Sequence, residues 1–261
     1  MRTLRLVIQY DGREFSGWQR QSNQLTVQGV LTESLTRVLQ EPVRVIGASR
    51  TDAGVHALGQ VASVTTASAL PLRSIRAGLN SLLPPTVRVP TVEEAAEGFD
   101  ARRWARAKRY FYLIDNNATG SPLFRHVSWH VNQPLDRGQM ARALSFLRGQ
   151  HDFSAFCAAP GRGRSPICRI HSLHLRSRRQ FVGLFFSADS FLHHMVRNIV
   201  GSVVEIGKGR RAPEWIGELL LNKDRTLAGP TAPAHGLVLL RVLYPRGPGT
   251  RVTVRGLADS R

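Results

Sequence analysis

Residues 50–57 read Arg-Thr-Asp-Ala-Gly-Val-His-Ala and set one carboxylate, Asp52, two positions from a guanidinium, Arg50. A lone ionised carboxylate suits nucleophilic attack or proton abstraction better than acid catalysis. The same residues also spell a turn, because Thr-Asp followed by Gly is ordinary turn chemistry, and taken alone the segment reads that way. Glycoside hydrolysis would need a second acid, since two carboxylates flank the bond that is cut. Asp11, after the first apolar stretch, could approach in space, but Asp11-Gly12 is itself an adequate turn.

Other side chains carry weaker signals. Arg102, Arg103, Trp104, Arg106, Lys108 and Arg109 run into Tyr110, Phe111 and Tyr112, a combination of phosphate-binding and base-stacking types; the alternative is a solvated strand entry with core aromatics. Further basic clusters fall at Arg162 and Arg164, Arg176 to Arg179, and Lys208 to Arg211. His193 and His194 are adjacent, so in a helix they point apart, and no acid, cysteine or histidine set surrounds them; packing or RNA contact is expected, not a metal. Cys157 and Cys168 lack metal-ligand spacing and suggest no disulfide framework.

The chain holds 36 basic against 18 acidic residues, a formal net charge of +18, which fits a partner carrying many phosphates. Only Lys108, Lys208 and Lys223 are lysines, so the arginine bias can also reflect coding composition. With 261 residues and 42% hydrophobic content the chain has material for one large core or two domains. No apolar run approaches the ~20 residues that span a bilayer, and the opening residues form a strand pattern, not a signal core, so the expected compartment is the cytoplasm. No G-x-G-x-x-G turn or Walker loop argues for a dinucleotide or nucleoside triphosphate enzyme.

The elements that must position these residues follow from periodicity. Leu4, Leu6, Ile8 and Tyr10 alternate with Arg5, Val7 and Gln9, predicting a strand buried mainly on one side. Val27, Val30, Leu31, Leu35, Val38 and Leu39 recur at helical spacing behind Thr26 as N-cap. Residues 43–46 and 60–66 read as strands on either side of the Asp52 loop. A strand at 110–114, a helix from Asp136 to Gly149, and strands at 170–175 and 181–186 repeat this β-α-β-β order, which makes a duplication a hypothesis from element order alone. The Pro-rich residues 82–90, followed by Glu93, Glu94 and Glu97, read as a connection. Residues 191–206 predict a long amphipathic helix with His193 and Arg197 on one face, 215–221 a short helix, and 237–244 the closing strand. The expected domains are 1–100, carrying the Asp52 loop, 101–245, and a flexible basic tail at 246–261 that adds phosphate affinity. Interleaved strands and helices with short connections indicate an α+β class.

Taken together, the motifs resemble those of the tRNA pseudouridine synthase A family over roughly residues 4–244. They are YDGREFSGWQRQ at 10–21, RTDAGVHA at 50–57, RYFY at 109–112, GQHDFSAF at 149–156, FLHHMVRNIVG at 191–201 and TAPAHGLVL at 231–239. The resemblance implies two similar α+β halves forming one extended, mainly antiparallel sheet with helices packed on it, in a homodimer. It implies Asp52 as catalytic aspartate and nucleophile, Arg50 as its ion-pair partner, Tyr110 in contact with the target uridine, Arg197 reaching the site from its helix, and Leu237 packed behind the base. The implied reaction converts uridine to pseudouridine at positions 38 to 40 of the tRNA anticodon arm, with no metal or organic cofactor. Isomerisation consumes no water, so one carboxylate suffices, and a basic cleft can hold a base drawn out of its stack. Two positions depart from the family pattern: Ser49, where Gly is usual, and Asp100, where His is common. If position 49 needs a positive φ, Ser costs about 1 kcal/mol there. A non-catalytic RNA-binding module and a base-releasing glycosylase remain as competing readings of the residues.

Overall fold

The computed structural model describes residues 1–158 and 165–245; the expected tail at 246–261 and the pair Arg162 and Arg164 lie outside the described residues. The alternating residues 2–10 form β1 (Arg2–Tyr10), and Thr26 caps α1 (Val27–Leu39) by accepting from the Gly29 amide, one of the donors a helix start leaves open. A two-residue β2 (Ile46–Gly47) precedes the Asp52 loop, and β3 (His56–Thr66) leads away from it. Then come α2 (Leu72–Leu82) and β4 (Val87–Ala95). The remaining residues supply β5 (Ala107–Asp115), β6 (Trp129–His130), α3 (Arg137–Ser145), β7 (Gly149–Asp152), β8 (Ile167–Arg178), β9 (Phe181–Ala188), α4 (Met195–Gly207), α5 (Trp215–Asn222) and β10 (Leu237–Leu243).

The strands join in one sheet in the order β4, β1, β3, β10, β5, β9, β8, β7, with β2 added on β3 and β6 on β5. Pairing is antiparallel except for β3 with β10 and β5 with β6. The sheet is therefore mainly antiparallel with helices packed on it, as expected for an α+β chain. Near its centre lies the parallel pair of β3 and β10, where Val238 faces His56 and Leu239 faces Ala57. That pairing sets the last strand of the described residues directly beside the exit of the Asp52 loop. On the other side of β10, Leu239 faces Tyr110.

Leu4, Leu6 and Ile8 are fully buried with Leu31 and Leu35 of α1 and Ile75 and Leu79 of α2. Beyond β10, the same core continues through Phe186, Met140 and Leu144 of α3 and Ile199 and Val203 of α4. Each fully buried aliphatic side chain contributes about 1.5–3 kcal/mol, so this continuous core holds both sides of the sheet in one frame.

Four expectations need correction. β1 is buried on both faces, because Arg5 pairs with Glu93, its register partner on β4, and lies 5.3 Å over the Tyr244 ring. Residues 87–95 are a strand and not a connection; β4 sits at the sheet edge, where Pro90 costs no ladder hydrogen bond. The strand expected at 43–46 shrinks to Ile46–Gly47. The helix expected from 191 starts at Met195, because His194 takes a left-handed φ of 59° and breaks the helical path.

Candidate active site

The Asp52 loop is held by backbone from the YDGREFSGWQRQ segment. Trp18 donates its amide to the Thr51 carbonyl at 3.0 Å, Gly54 donates to the Phe15 carbonyl at 3.4 Å, and the Tyr10 and Thr51 hydroxyls share a hydrogen bond of 2.8 Å. These approaches require glycine. A Cβ on Gly12 would lie 2.0 Å from the Val55 carbonyl oxygen, and one on Gly17, whose φ is +90°, would lie 2.6 Å from that of Thr51. His56 adds a further clamp. Its Nδ1 accepts from the Gly12 amide and its Nε2 donates to the His126 carbonyl, both at 3.1 Å, a neutral tautomer whose pKa burial pushes down. Asp11, the other acid considered for chemistry, is engaged by Arg13, which holds its pKa low.

Asp52, Arg50, Tyr110, Arg197 and Leu237 all line one cleft of 1220 Å³. Arg20, Arg44, Arg102, Lys108, Lys223 and Arg225 also face it, which makes its walls strongly basic. The Asp52 side chain is 25% exposed, open enough to meet a substrate. Its cationic partner is not Arg50. The Arg50 Nε donates to Gln19 Oε1 at 3.1 Å, whereas Arg197 donates from a terminal guanidinium nitrogen to Asp52 Oδ2 at 3.3 Å. Residues two apart in an irregular loop need not direct their side chains together; α4 instead aims Arg197 across the cleft. The same guanidinium donates from Nε to the Ala232 carbonyl at 2.8 Å, and Ala232 returns its amide to the Arg197 carbonyl at 3.1 Å. Arg197 thereby ties Asp52 to the segment that leads into Leu237.

Tyr110 stands edge-on to Phe191, with ring centroids 5.0 Å apart, and burial raises its phenol to about 12, so it stays protonated at neutral pH. Its hydroxyl shares a 3.0 Å hydrogen bond with Ser49 Oγ. Ser49 is not among the residues with positive φ, so the expected strain is absent and the hydroxyl instead supplies a contact. The buried Gln60 fixes Ser49 from behind, receiving its amide at 3.3 Å and donating to its carbonyl at 2.7 Å. Asp100 accepts the amides of Arg102 and Arg103, both at 2.8 Å, and so caps a turn outside the cleft lining.

A family model described as tRNA pseudouridine synthase matches residues 6–102 and 143–245. The chain belongs to the tRNA pseudouridine synthase family. A tRNA pseudouridine synthase A of Myxococcus xanthus is 46% identical over 261 residues, covering 100% of this chain and 98% of the relative. One from Thermoanaerobacter sp. strain X514 is 41% identical over 244 residues, covering 94% and 100%. A solved H/ACA ribonucleoprotein bound to a substrate RNA containing 2'-deoxyuridine aligns with a TM-score of 0.37 at 9% identity, over 77% of this chain and 43% of that one. A pseudouridine synthase is an isomerase: the glycosidic bond moves from N1 to C5 of the same uracil. Among the described residues no helix is long and apolar enough to cross a membrane.

In this synthase the two histidines were the residues least readable from sequence. Because His194 is left-handed and α4 starts one residue later, both rings turn toward Asp52, with His194 Nε2 3.5 Å from Oδ2 and His193 Nε2 3.8 Å from Oδ1. The rings stack with centroids 3.9 Å apart. Burial lowers the His194 pKa against the opposing pull of Asp52, leaving a neutral imidazole at neutral pH. Gln60 was equally invisible as a functional residue; its only signal was a polar amide inside the apolar run of β3.

Proposed function

We propose that this synthase isomerises uridine to pseudouridine at positions 38 to 40 of the tRNA anticodon arm, with Asp52 as its single catalytic carboxylate. The observation that carries this reading is Asp52 itself, anchored through Oδ2 by Arg197 on the wall of a basic cleft that Tyr110 and Leu237 also line. The other acid on that wall, Asp224, is engaged with the Thr226 amide and hydroxyl, each at 2.8 Å. Among the described residues Oδ1 has only the His193 ring, at 3.8 Å, and it is the oxygen offered to the substrate in this reading.

The chemistry balances with one carboxylate. The N1 to C1′ bond breaks, the C5 to C1′ bond forms, N1 gains a proton and C5 loses one. A carboxylate at the cleft wall can hold the electron-poor sugar carbon or carry a proton between steps. Tyr110, a protonated phenol with a fixed hydroxyl, offers its ring to the base while Leu237 packs behind it. Arg50, held on Gln19, is left to meet RNA, and the basic walls bind phosphates without reading sequence.

The enzyme acts in the cytoplasm as a homodimer, each chain of which holds two α+β halves, residues 1–100 and 101–245. Phe111, Leu113, Phe181 and Phe185 form the half-buried apolar part of a 500 Å³ groove on β5 and β9, which Arg176, Ser177 and Arg178 of β8 also line, and a second copy is its proposed cover. Phe185→Asp should convert a dimer to a monomer in light scattering; an unchanged mass places the interface elsewhere.

The decisive assay incubates unmodified tRNA with wild-type protein and with Asp52→Asn, mapping pseudouridine and measuring free uracil. The expected result is product at the anticodon arm from wild type, none from the variant, and near-equal tRNA binding by both. Product from Asp52→Asn refutes the assignment. Binding without product from wild type points to an RNA-binding module, and free uracil to a glycosylase.

A further inference from the structure

We propose that Asp52, His193 and His194 form an inhibitory binding site for a borderline divalent cation, Zn²⁺ being the best match. The metal site rests on geometry; only its inhibitory effect rests on the reading of Asp52 as the catalytic group.

One ligand atom from each of the three side chains lies within 4.8 Å of the others. The two closest approaches are 3.5 Å, from His194 Nε2 to Oδ2, and 3.8 Å, from His193 Nε2 to Oδ1. Tetrahedral zinc with bonds of about 2.0–2.2 Å needs its ligand atoms about 3.3–3.6 Å apart. Those two approaches need a contraction of a few tenths of an ångström at most. The remaining spacings, which run to as much as 4.8 Å, need more, and the His193 side chain, 48% exposed, has room to make it. Two imidazoles and a carboxylate suit zinc, cobalt, nickel or copper better than magnesium or calcium, which prefer all-oxygen sets. Three protein ligands leave the fourth position open to the cleft for water, the pattern of an accessible zinc site.

Adjacent residues in a regular helix point about 100° apart and cannot share one ligand. Here the left-handed His194 brings both rings onto the same carboxylate. Arg197 remains the opposing charge, 3.3 Å from Oδ2. A cation taken on Oδ1, with the His194 ring turned from Oδ2 toward it, leaves the Arg197 contact in place, and the nearby guanidinium weakens the site relative to a closed structural zinc centre. A bound cation would occupy the oxygen that faces the substrate, so metal and productive uridine exclude one another.

The binding measurements use full-length protein without RNA, because RNA binds divalent cations itself. Titration calorimetry with Zn²⁺ alone should give one site per chain, and Co²⁺ should give visible ligand-field absorption without a thiolate charge-transfer band. His193→Ala and His194→Asn, the second keeping a residue that tolerates left-handed backbone, should each weaken Zn²⁺ binding by about 100-fold or more, beyond the 10–100-fold cost of losing an outer partner. Pseudouridine formation by wild type should fall on addition of Zn²⁺, recover with a chelator, and be unaffected by Mg²⁺. Absence of stoichiometric binding, full affinity in both variants, or a thiolate band locating the ion at Cys157 on the same cleft would each overturn the site. Tight binding without inhibition would overturn the inhibitory role. The separate Asp52→Asn product assay then shows whether the reading of Asp52 fails with it.

Discussion

Replacing Arg197 tests the feature on which the site's geometry depends most. Its guanidinium lies 3.3 Å from Asp52 Oδ2, with side chains 14% and 25% exposed. At that distance unit charges attract by about 5 kcal/mol at an effective dielectric of ~20 and by about 1.3 kcal/mol in bulk water. The partial exposure puts the pair between these limits, at about 3 kcal/mol, and because Arg197 fixes the carboxylate that reacts, Arg197→Met should slow single turnover by up to about 150-fold. Arg197→Lys keeps the charge but cannot hold Asp52 and the Ala232 carbonyl in one planar fork. Losing one such hydrogen bond costs about 1–1.5 kcal/mol, roughly a tenfold slower reaction. The assay is single-turnover pseudouridine formation at saturating enzyme, with tRNA affinity measured separately. A Met variant within threefold of wild type would refute the argument, and so would a loss confined to tRNA affinity, which would make Arg197 a phosphate contact.

Three further outcomes are expected. Ser49→Gly removes the hydroxyl that Tyr110 bonds and adds backbone freedom, so urea unfolding should show a loss of about 1–2 kcal/mol; equal or greater stability would mean that the contact contributes nothing. Gly201→Ala would set a Cβ 1.6 Å from the Pro230 carbonyl oxygen, forcing α4 away from residues 229–232. Overpacking against backbone should cost about 3 kcal/mol, a fall in Tm of about 6–12 °C for a chain of this size, and an unshifted melting curve would contradict the close approach. The third concerns pH. Burial lowers the folded pKa of His56 below 6.5, so as pH falls the unfolded chain takes up a proton first. The stability from neutral His56 is complete above pH 6.5 and is lost as pH drops through the folded value, at up to about 1.4 kcal/mol per pH unit. Denaturant unfolding at about pH 7.5 and about pH 5.5 should show a smaller acid loss in His56→Gln than in wild type.

The residues legible in the sequence were those whose chemical identity travels with a local motif. Asp52, Tyr110, Arg197 and Leu237 lie in four separate motif strings, and all four line the cleft. What could not be read was which side chains meet. Arg50 is two residues from Asp52, yet the observed ion pair comes from α4, 145 positions later. The histidine pair was read on a regular helix, and a single left-handed residue redirected both rings. β4 was hidden by Pro90 and its glutamates, which read as linker until Arg5 and the sheet edge account for them. Elements with strong periodicity, such as α1 and β10, were placed closely because their own apolar faces carry the signal.

The position of β10 also dictates when the enzyme can exist during its own synthesis. Leu237–Leu243 is the final strand of the described chain, yet it occupies the middle of the sheet, between β3 and β5. A nascent chain that has emerged only as far as α5 has both of those edges open and lacks Leu237. Until residues 237–243 have left the exit tunnel, the growing polypeptide can complete neither its cleft nor its central hydrogen-bond ladder. Competence therefore arrives in one step, when β10 inserts, so a message truncated before β10 yields chains with two unpaired strand edges, prone to aggregate and unable to modify RNA.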